Sequence, residues 1–199
     1  MTIEKYLIFL CNYTVESGFG LLGMEKERKY YFPGHKLDGG KDGLRLKIKP
    51  YNAEGWIGIF SSNFGIGIGK TAICSCSEID SLCVVSDGAA YFGKASSPKS
   101  FKQINKLPVI DIFQDIGNKF ILFVDYHGIS IYGINDEQWL SPRISWDGFK
   151  DLTLINGIIS GLSRDPSNKN QEWVPFSLDL KKRELNGGSY PKYESLNKE

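Results

Sequence analysis

Residues 65–71 have the residue types that cradle a phosphate group. They read Gly-Ile-Gly-Ile-Gly-Lys-Thr, and the last three match the end of a phosphate-binding loop. Such a loop also needs a glycine five positions before its Gly-Lys-Thr, but Phe64 occupies that position, and the extended pattern of residues 72–76 follows where a helix should begin. The G-x-G-x-G spacing also differs from the G-x-G-x-x-G of dinucleotide-binding folds. The sequence therefore predicts no nucleotide or other cofactor here.

Groups suited to acid–base or nucleophilic catalysis are sparse. The two histidines, His35 and His127, each lie beside a glycine in a predicted turn, and the chain has no G-x-S-x-G elbow. Asp125 lies two residues before His127, where it could orient the imidazole or face water at a strand end. Carboxylate pairs such as Asp111 and Asp115 are unspecific. The sequence predicts no catalytic residue; a small-molecule hydrolase with a cleft on its β-sheet is the alternative.

Four cysteines, Cys11, Cys74, Cys76 and Cys83, are the candidate metal ligands. A metal site would require the last three to converge with Cys11 or His35, yet the chain lacks the second cysteine pair that structural zinc sites use. Cys74 and Cys76 lie two residues apart, so on a strand they share one face and make a poor disulfide. We expect a metal-free protein with reduced thiols that pack as small hydrophobic groups.

Composition excludes several classes of protein. The chain has 199 residues with 24 basic and 23 acidic side chains, a formal net charge of +1, and 41% hydrophobic residues. This balance argues against a general nucleic-acid binder, which needs a basic excess. No apolar run approaches the roughly 18 residues of a membrane span, and the run at residues 6–11 is too short for a secretory signal. We expect a cytoplasmic protein.

The elements that would position any site are predicted to be β-strands. Apolar or β-branched segments flank Asp87-Gly88, His127-Gly128 and Asn156-Gly157, and each pattern is typical of a hairpin with a type I′ turn. Residues 44–49 alternate apolar and basic side chains, which predicts a half-buried strand with one basic face. Residues 6–11 are also predicted to form a strand.

The predicted fold class is mainly β, with antiparallel sheets in an open propeller-like or β-sandwich arrangement. At most one or two short helices are expected, near residues 20–30 and 99–105. A single domain is expected over residues 1–199. Within it, residues 1–50 are less regular, residues 51–188 hold the β-hairpin repeats, and residues 189–199 form a frayed tail.

An internal repeat supports this fold class. Gly88 and Gly128 are 40 residues apart, as are Gly93 and Gly133, and this period suits a four-stranded propeller blade. A closed propeller needs at least four blades, or about 160 residues at this period, and residues 1–50 show no matching copy. An open propeller fragment or a β-sandwich therefore fits better.

A larger pattern covers about residues 105–188. Its segments are residues 121–125, 131–133, 139, 142–148, 174–180 and 187–188. In these segments the chain resembles a group of uncharacterised bacterial β-proteins that share F-x-D, Y-G, W, P-R-[IL]-S-W-D-G, V-P-F-x-[LV]-D-L and G-G in that order. The resemblance implies a propeller-like sheet and brings no catalytic residues. Such small bacterial proteins are often immunity proteins that neutralise a toxin, so a toxin domain is the implied partner.

Charge is unevenly distributed along the chain. Residues 109–180 hold ten acidic and five basic side chains, whereas residues 1–106 hold 14 basic and ten acidic ones. An acidic face would speed encounter with a basic partner, although chance gives such asymmetries too. In the acidic half, Asp136, Glu137 and Trp139 combine two carboxylates with an indole that could anchor in a pocket or pack on its own sheet. The sequence predicts a non-catalytic protein-binding protein, with an enzyme or a structural or regulatory subunit as alternatives.

Overall fold

The computed structural model describes residues 2–18, 27–33, 43–62, 67–133, 138–167, 169–170 and 172–190. Over these ranges the chain forms strands and no helix, which confirms the predicted mainly β, antiparallel fold class. The described residues accordingly contain no helix that is long and apolar enough to cross a membrane. The chain divides into two compact units, Met1–Val109 (unit 1) and Ile110–Glu199 (unit 2). The single domain stays a prediction.

The strands of unit 1 are β1 (Glu4–Tyr6), β2 (Tyr13–Ser17), β3 (Arg28–Phe32), β4 (Gly43–Pro50), β5 (Trp56–Ser61), β6 (Ala72–Ser75), β7 (Ser81–Ser86), β8 (Ala89–Lys94) and β9 (Ser97–Gln103). Strands β6 to β9 form an antiparallel meander, and β1 joins its edge in parallel with β6. A second sheet has the order β2-β4-β5-β3, with β3 parallel to β5. Unit 1 is thus two sheets, each with one parallel edge pair.

The strands of unit 2 are β10 (Asp111–Asp115), β11 (Phe120–Val124), β12 (Ile129–Tyr132), β13 (Gln138–Leu140), β14 (Phe149–Ile155), β15 (Ile158–Arg164), β16 (Trp173–Asp179) and β17 (Glu184–Gly187). They form two four-stranded sheets with the orders β10-β11-β12-β13 and β14-β15-β16-β17. Every pairing in both sheets is antiparallel between neighbours in sequence. Unit 2 therefore consists of two meanders of the same topology.

Each unit has its own apolar core between its two sheets. In unit 1, Phe32 stacks on Phe60 with 4.8 Å between ring centroids, and Leu46, Leu82 and Tyr91 are buried around them. The alternation predicted for residues 44–49 is confirmed, because the leucine and isoleucine side chains of β4 are buried while its basic residues are partly exposed. The core of unit 2 contains, among others, Leu122, Ile131, Ile159, Phe176 and Leu178.

Two of the three predicted type I′ hairpins are confirmed. Asp87 and Gly88 have φ of 46° and 86°, and Asn156 and Gly157 have φ of 50° and 77°. The prediction is wrong for His127-Gly128, because β11 and β12 are joined by the four residues 125–128. The Asp125 carboxylate accepts hydrogen bonds from the amides of residues 127 and 128 (2.7 and 2.9 Å), which stabilises a longer turn without two positive φ angles.

The 40-residue period corresponds to one meander per repeat. The connection between the second and third strands begins with an aspartate in each meander: Asp87, Asp125 and Asp165. Each of these carboxylates accepts at least one hydrogen bond from a backbone amide. Their spacings are 38 and 40 residues; the β11–β12 connection is two residues longer than the β7–β8 connection, so Gly88 and Gly128 are 40 residues apart.

The two predicted helical segments have different outcomes. The helix near residues 99–105 is wrong, because Ser97–Gln103 is an edge strand that pairs with β8. Of residues 20–30, positions 20–26 lie outside the described residues, and Arg28 begins β3. Pairing with a neighbouring strand decides the local structure here, since short polar segments have weak intrinsic preferences.

Candidate protein-binding surface

The glycine-rich segment that resembled a phosphate loop binds a carboxylate of the same chain. The amides of Gly67 and Gly69 donate hydrogen bonds to the two carboxylate oxygens of Asp87, at 2.5 and 3.1 Å. The Thr71 hydroxyl accepts a hydrogen bond from the Asp87 amide (3.0 Å), and the Lys70 ammonium pairs with Glu4 at 2.8 Å. The backbone amides that would bind a phosphate therefore stabilise a turn of the same chain instead. Residues 63–66 lie outside the described residues.

The histidines and carboxylates do not assemble a catalytic group over the described residues. His35 lies outside them. His127 lines an open pocket of about 240 Å³ together with Asp125, Ser141 and Arg143. The Asp125 carboxylate binds backbone amides, and the Ser141 hydroxyl bonds to the backbone at residues 129 and 142. The polar groups of this pocket thus stabilise the turn that forms it.

The cysteines lie in one region of unit 1. Cys74 and Cys83 are direct cross-strand partners, both buried with Cys76, and Cys11 is partly buried. Burial raises the pKa of the Cys83 thiol, and the neighbouring Cys74 raises it further. Burial likewise raises the pKa of Tyr13, whose hydroxyl donates a hydrogen bond to the Ser81 carbonyl at 2.8 Å. Among the described residues, no three His, Cys, Asp or Glu side chains are arranged to hold a metal ion.

The predicted partner-binding residues are only partly described. Asp136 and Glu137 lie outside the described residues. Trp139 lies on β13 opposite Ile131, is partly buried, and packs against the core of unit 2. The Arg183 guanidinium lies 5.8 Å from its ring centroid, within cation–π range. Trp139 therefore has a packing role in its own unit, and the use of these three residues by a partner stays a prediction.

The P-R-I-S-W-D-G segment at residues 142–148 connects the two meanders of unit 2. Arg143 donates hydrogen bonds to the carbonyls of Ser145 and Trp146 (3.0 and 3.1 Å) and lies over the rings of Trp146 and Tyr190. The buried Ser145 hydroxyl donates to the Gly148 carbonyl at 2.6 Å. The side chains that carry the resemblance here therefore hold a connection in place.

The V-P-F-S-L-D-L segment at residues 174–180 is structural as well. Phe176, Leu178 and Leu180 point into the core of unit 2. Asp179 accepts hydrogen bonds from the amides of Lys181 and Lys182 (3.0 and 2.9 Å), so it shapes the turn before β17. The pattern predicts packing and turn geometry, and functional residues have to be sought elsewhere.

A surface that sequence reasoning missed lies on unit 1. Five large apolar side chains there are strongly exposed: Leu7 (46%), Ile8 (53%), Leu10 (86%), Tyr51 (67%) and Ile79 (55%). We call these five residues the apolar patch. Monomeric proteins rarely expose contiguous apolar patches larger than a few hundred Å², and such patches often mark interaction sites. The patch therefore has the character of an interaction surface.

The predicted strand at residues 6–11 is wrong, and this error hid the patch. β1 ends at Tyr6, after three residues paired with β6. The following backbone is held by the Ser75 hydroxyl, which accepts from the Phe9 amide (2.9 Å), and by the Ile79 carbonyl, which accepts from the Asn12 amide (3.0 Å). These bonds hold the apolar run outside the strand, with Leu7, Ile8 and Leu10 exposed and Phe9 and Cys11 partly buried.

Hydrogen bonds bring the three patch segments together. Asn12 bonds to residue 79 through its amide and to the Tyr51 amide through its carbonyl (2.8 Å). Residues 7–12, 51–55 and 75–81 contain three acidic residues, Glu54, Glu78 and Asp80, and no lysine or arginine. Glu54 is exposed, and the other two flank Ile79. We call these three residues the acidic rim; Lys5 and Lys49 lie two residues outside the segments, and Lys94 pairs with Ser81 in the sheet.

Comparison with known proteins does not identify a family. No family description matches the chain, and no curated protein matches it. One similar solved structure is a chain from the complex of S. cerevisiae Dbp5 with Nup159, Gle1, IP6 and ADP, with 8% identity and a TM-score of 0.44. The match covers 92% of this chain but only 53% of that chain, so this chain spans about half its length. A likeness at this level assigns neither fold nor function.

Proposed function

We propose that this chain is a non-catalytic protein-binding protein and that the apolar patch is its contact surface. The observation that carries the proposal is the exposure of five large apolar side chains on three adjoining segments. Exposed apolar area is unfavourable in water, and a partner that covers it removes that unfavourable free energy. Leu10 and Tyr51, the most exposed, are the expected anchors.

The acidic rim supports a basic partner. Glu54, Glu78 and Asp80 lie in the three patch segments, which contain no lysine or arginine. Opposite charges around an apolar centre speed encounter and disfavour acidic competitors. With the resemblance to small bacterial proteins, this supports an immunity protein that neutralises a basic toxin domain, contacting it through unit 1.

The proposal is tested by site-specific crosslinking in the source cells. A photo-crosslinking amino acid at position 10 should give one defined adduct with another protein, and the same group at position 155 should not. Ile155 is a matched site because it is 64% exposed and lies in unit 2.

The captured protein is then purified and its affinity measured. Leu10→Lys should weaken binding by roughly tenfold or more, as loss of an interface anchor does, while Ile155→Lys should leave the Kd within about twofold. Equal affinities for both variants, or an adduct only from position 155, would refute the patch as the contact surface.

A further inference from the structure

Two of the four cysteines are direct partners across an antiparallel pair of strands. Cys74 on β6 lies opposite Cys83 on β7, so both side chains point to the same face of the sheet. The Cα atoms of such partners are about 4.5–5.5 Å apart, which is within the roughly 4.4–6.8 Å that disulfides span. A disulfide between these two residues would therefore require little movement of the strands.

The hydrogen bonds of the thiols distinguish this pair from the other two cysteines. The Cys11 thiol donates to the Tyr13 carbonyl at 3.6 Å. The Cys76 thiol donates to the Cys74 carbonyl at 3.9 Å. Burial raises the pKa of the Cys83 thiol, and a side-chain hydrogen bond with Cys74 raises it further. The two thiols that would react are thus already neighbours.

The chain between these two cysteines supports the apolar patch. Residues 75–82 include Ile79 of the patch and accept three hydrogen bonds from residues 9–13. These run from the Phe9 amide to the Ser75 hydroxyl (2.9 Å), from the Asn12 amide to the carbonyl of residue 79 (3.0 Å) and from the Tyr13 hydroxyl to the carbonyl of residue 81 (2.8 Å). A bond that closes residues 75–82 into a loop would restrict the motion of all three acceptors.

We infer that Cys74 and Cys83 form a reversible disulfide that restrains the segment under the apolar patch. The oxidant is a small disulfide such as oxidised glutathione. The thiolate of one cysteine attacks it and releases one glutathione thiolate; the thiolate of the other cysteine then attacks the mixed disulfide and releases the second. The two cysteines together lose two electrons and two protons, and the oxidant is reduced to two thiols.

The first test measures the equilibrium of this exchange, because both thiols are buried and react only when residues 75–82 open transiently. The purified protein is brought to equilibrium in a series of glutathione buffers, quenched with acid, alkylated and mapped by peptide mass spectrometry. We expect a disulfide between residues 74 and 83. Its equilibrium constant should be at least about tenfold higher in the folded chain than in the chain unfolded in urea, because folding holds the thiols together. A different pairing, or a constant no higher in the folded chain, would overturn the inference.

Substitutions separate this pair from the other cysteines. Cys11→Ala combined with Cys76→Ala keeps the proposed pair and should leave the equilibrium constant unchanged. Cys74→Ala and Cys83→Ala should each form no intramolecular disulfide. An undiminished yield of intramolecular disulfide in either of these two variants would overturn the inference. The peptide map of the unsubstituted chain decides the pairing even where a variant in the core folds poorly.

Hydrogen exchange measures the effect on the apolar patch, with the unsubstituted chain fully oxidised or fully reduced. Oxidation should increase protection of the Phe9 and Asn12 amides by at least about threefold, since their acceptors lie within the closed loop. The Leu180 amide, which donates to the Gly157 carbonyl at 3.0 Å in unit 2, is the control and should not respond. Equal protection of Phe9 and Asn12 in the two states would overturn the link to the patch. Neither measurement uses a partner, so failure here leaves the proposed function standing.

Discussion

The apolar patch of unit 1 and a group of turns in unit 2 expose similar aliphatic side chains on different kinds of backbone. We call these turns, residues 116–119, 155–158 and 180–183, the tip surface. The tip surface rests on tight turns with positive φ at Asn156, Gly157 and Arg183. The apolar patch rests on irregular segments that are held by long-range hydrogen bonds, such as Phe9 to Ser75. Local turn chemistry thus shapes one exposed apolar surface, while tertiary hydrogen bonds shape the other.

The largest expected loss of stability comes from a substitution in a turn of the tip surface. Gly157→Val places a β-branched side chain at φ 77° and within 2.9 Å of Asn118, so it should destabilise the fold by about 1–3 kcal/mol in urea unfolding. Gly117→Val is the control, since the nearest atom to its added carbon is 3.5 Å away and no positive φ is required. Similar losses in both variants would show that positive φ is not what shapes this surface.

A smaller effect is expected when the backbone under the apolar patch loses its support. Ser75→Ala removes the acceptor of the Phe9 amide and should cost about 0.5–1.5 kcal/mol. Hydrogen exchange should also lose protection at Phe9 while protection in unit 2 is unchanged. Ser97→Ala, at an exposed position of β9, should alter neither quantity. Retained protection at Phe9 would mean that another group holds this segment.

Substitution of the exposed side chains themselves should hardly affect stability. Leu10→Lys and Ile155→Lys replace side chains that are 86% and 64% exposed, so each should change the free energy of unfolding by no more than about 0.5 kcal/mol. Equilibrium denaturation checks both. A loss above 2 kcal/mol at either site would show that the side chain is covered in the folded protein, and that surface would no longer be a candidate.

The smallest effects concern two carboxyl groups near these surfaces. A hydrogen bond from Lys70 lowers the pKa of Glu4, whereas the Lys182 amide is the main cause that lowers the pKa of Asp179. Lys70→Met should therefore raise the pKa of Glu4 towards its usual 4.5, and Lys182→Met should leave most of the Asp179 shift in place. Carboxyl NMR titrations measure both, and equal responses would contradict the assigned causes.

The sign of the pH dependence follows from the lowered pKa values. The contribution of Glu4 is fully present above its usual pKa of 4.5 and that of Asp179 above its usual 3.8, and each is lost as the pH falls through the lowered folded-state pKa. Because Glu4 is partly exposed, its contribution to the free energy of unfolding is no larger than that of a surface ion pair, up to about 1 kcal/mol. The loss should appear first as weaker hydrogen-exchange protection of β1.

Local patterns predicted the strands and tight turns well. The Asn156-Gly157 turn and the alternation over residues 44–49 were readable because two-residue turns and half-buried strands impose their own residue types. His127-Gly128 was misread because an aspartate two residues earlier can cap a longer turn, and the dipeptide alone does not reveal this.

The candidate surface was harder to predict for a physical reason. An apolar run of six residues has the same pattern whether it is a buried strand or an exposed segment, and only the acceptors on Ser75 and Ile79 decide between them. Those acceptors lie more than 60 residues away in the chain. No local pattern indicated that the Asp87 carboxylate would bind the amides of the glycine-rich segment.

The Asp87 carboxylate is, in effect, a ligand that is tethered to its own receptor. Because the chain holds it beside the amides of Gly67 and Gly69, its effective concentration is on the order of millimolar or higher, and free anions must compete with that. Asp87→Ala would remove this carboxylate and leave the two convergent amides without their acceptor, while Lys70 would still pair with Glu4. The two amides of the glycine-rich segment thus bind an anion that the chain itself supplies.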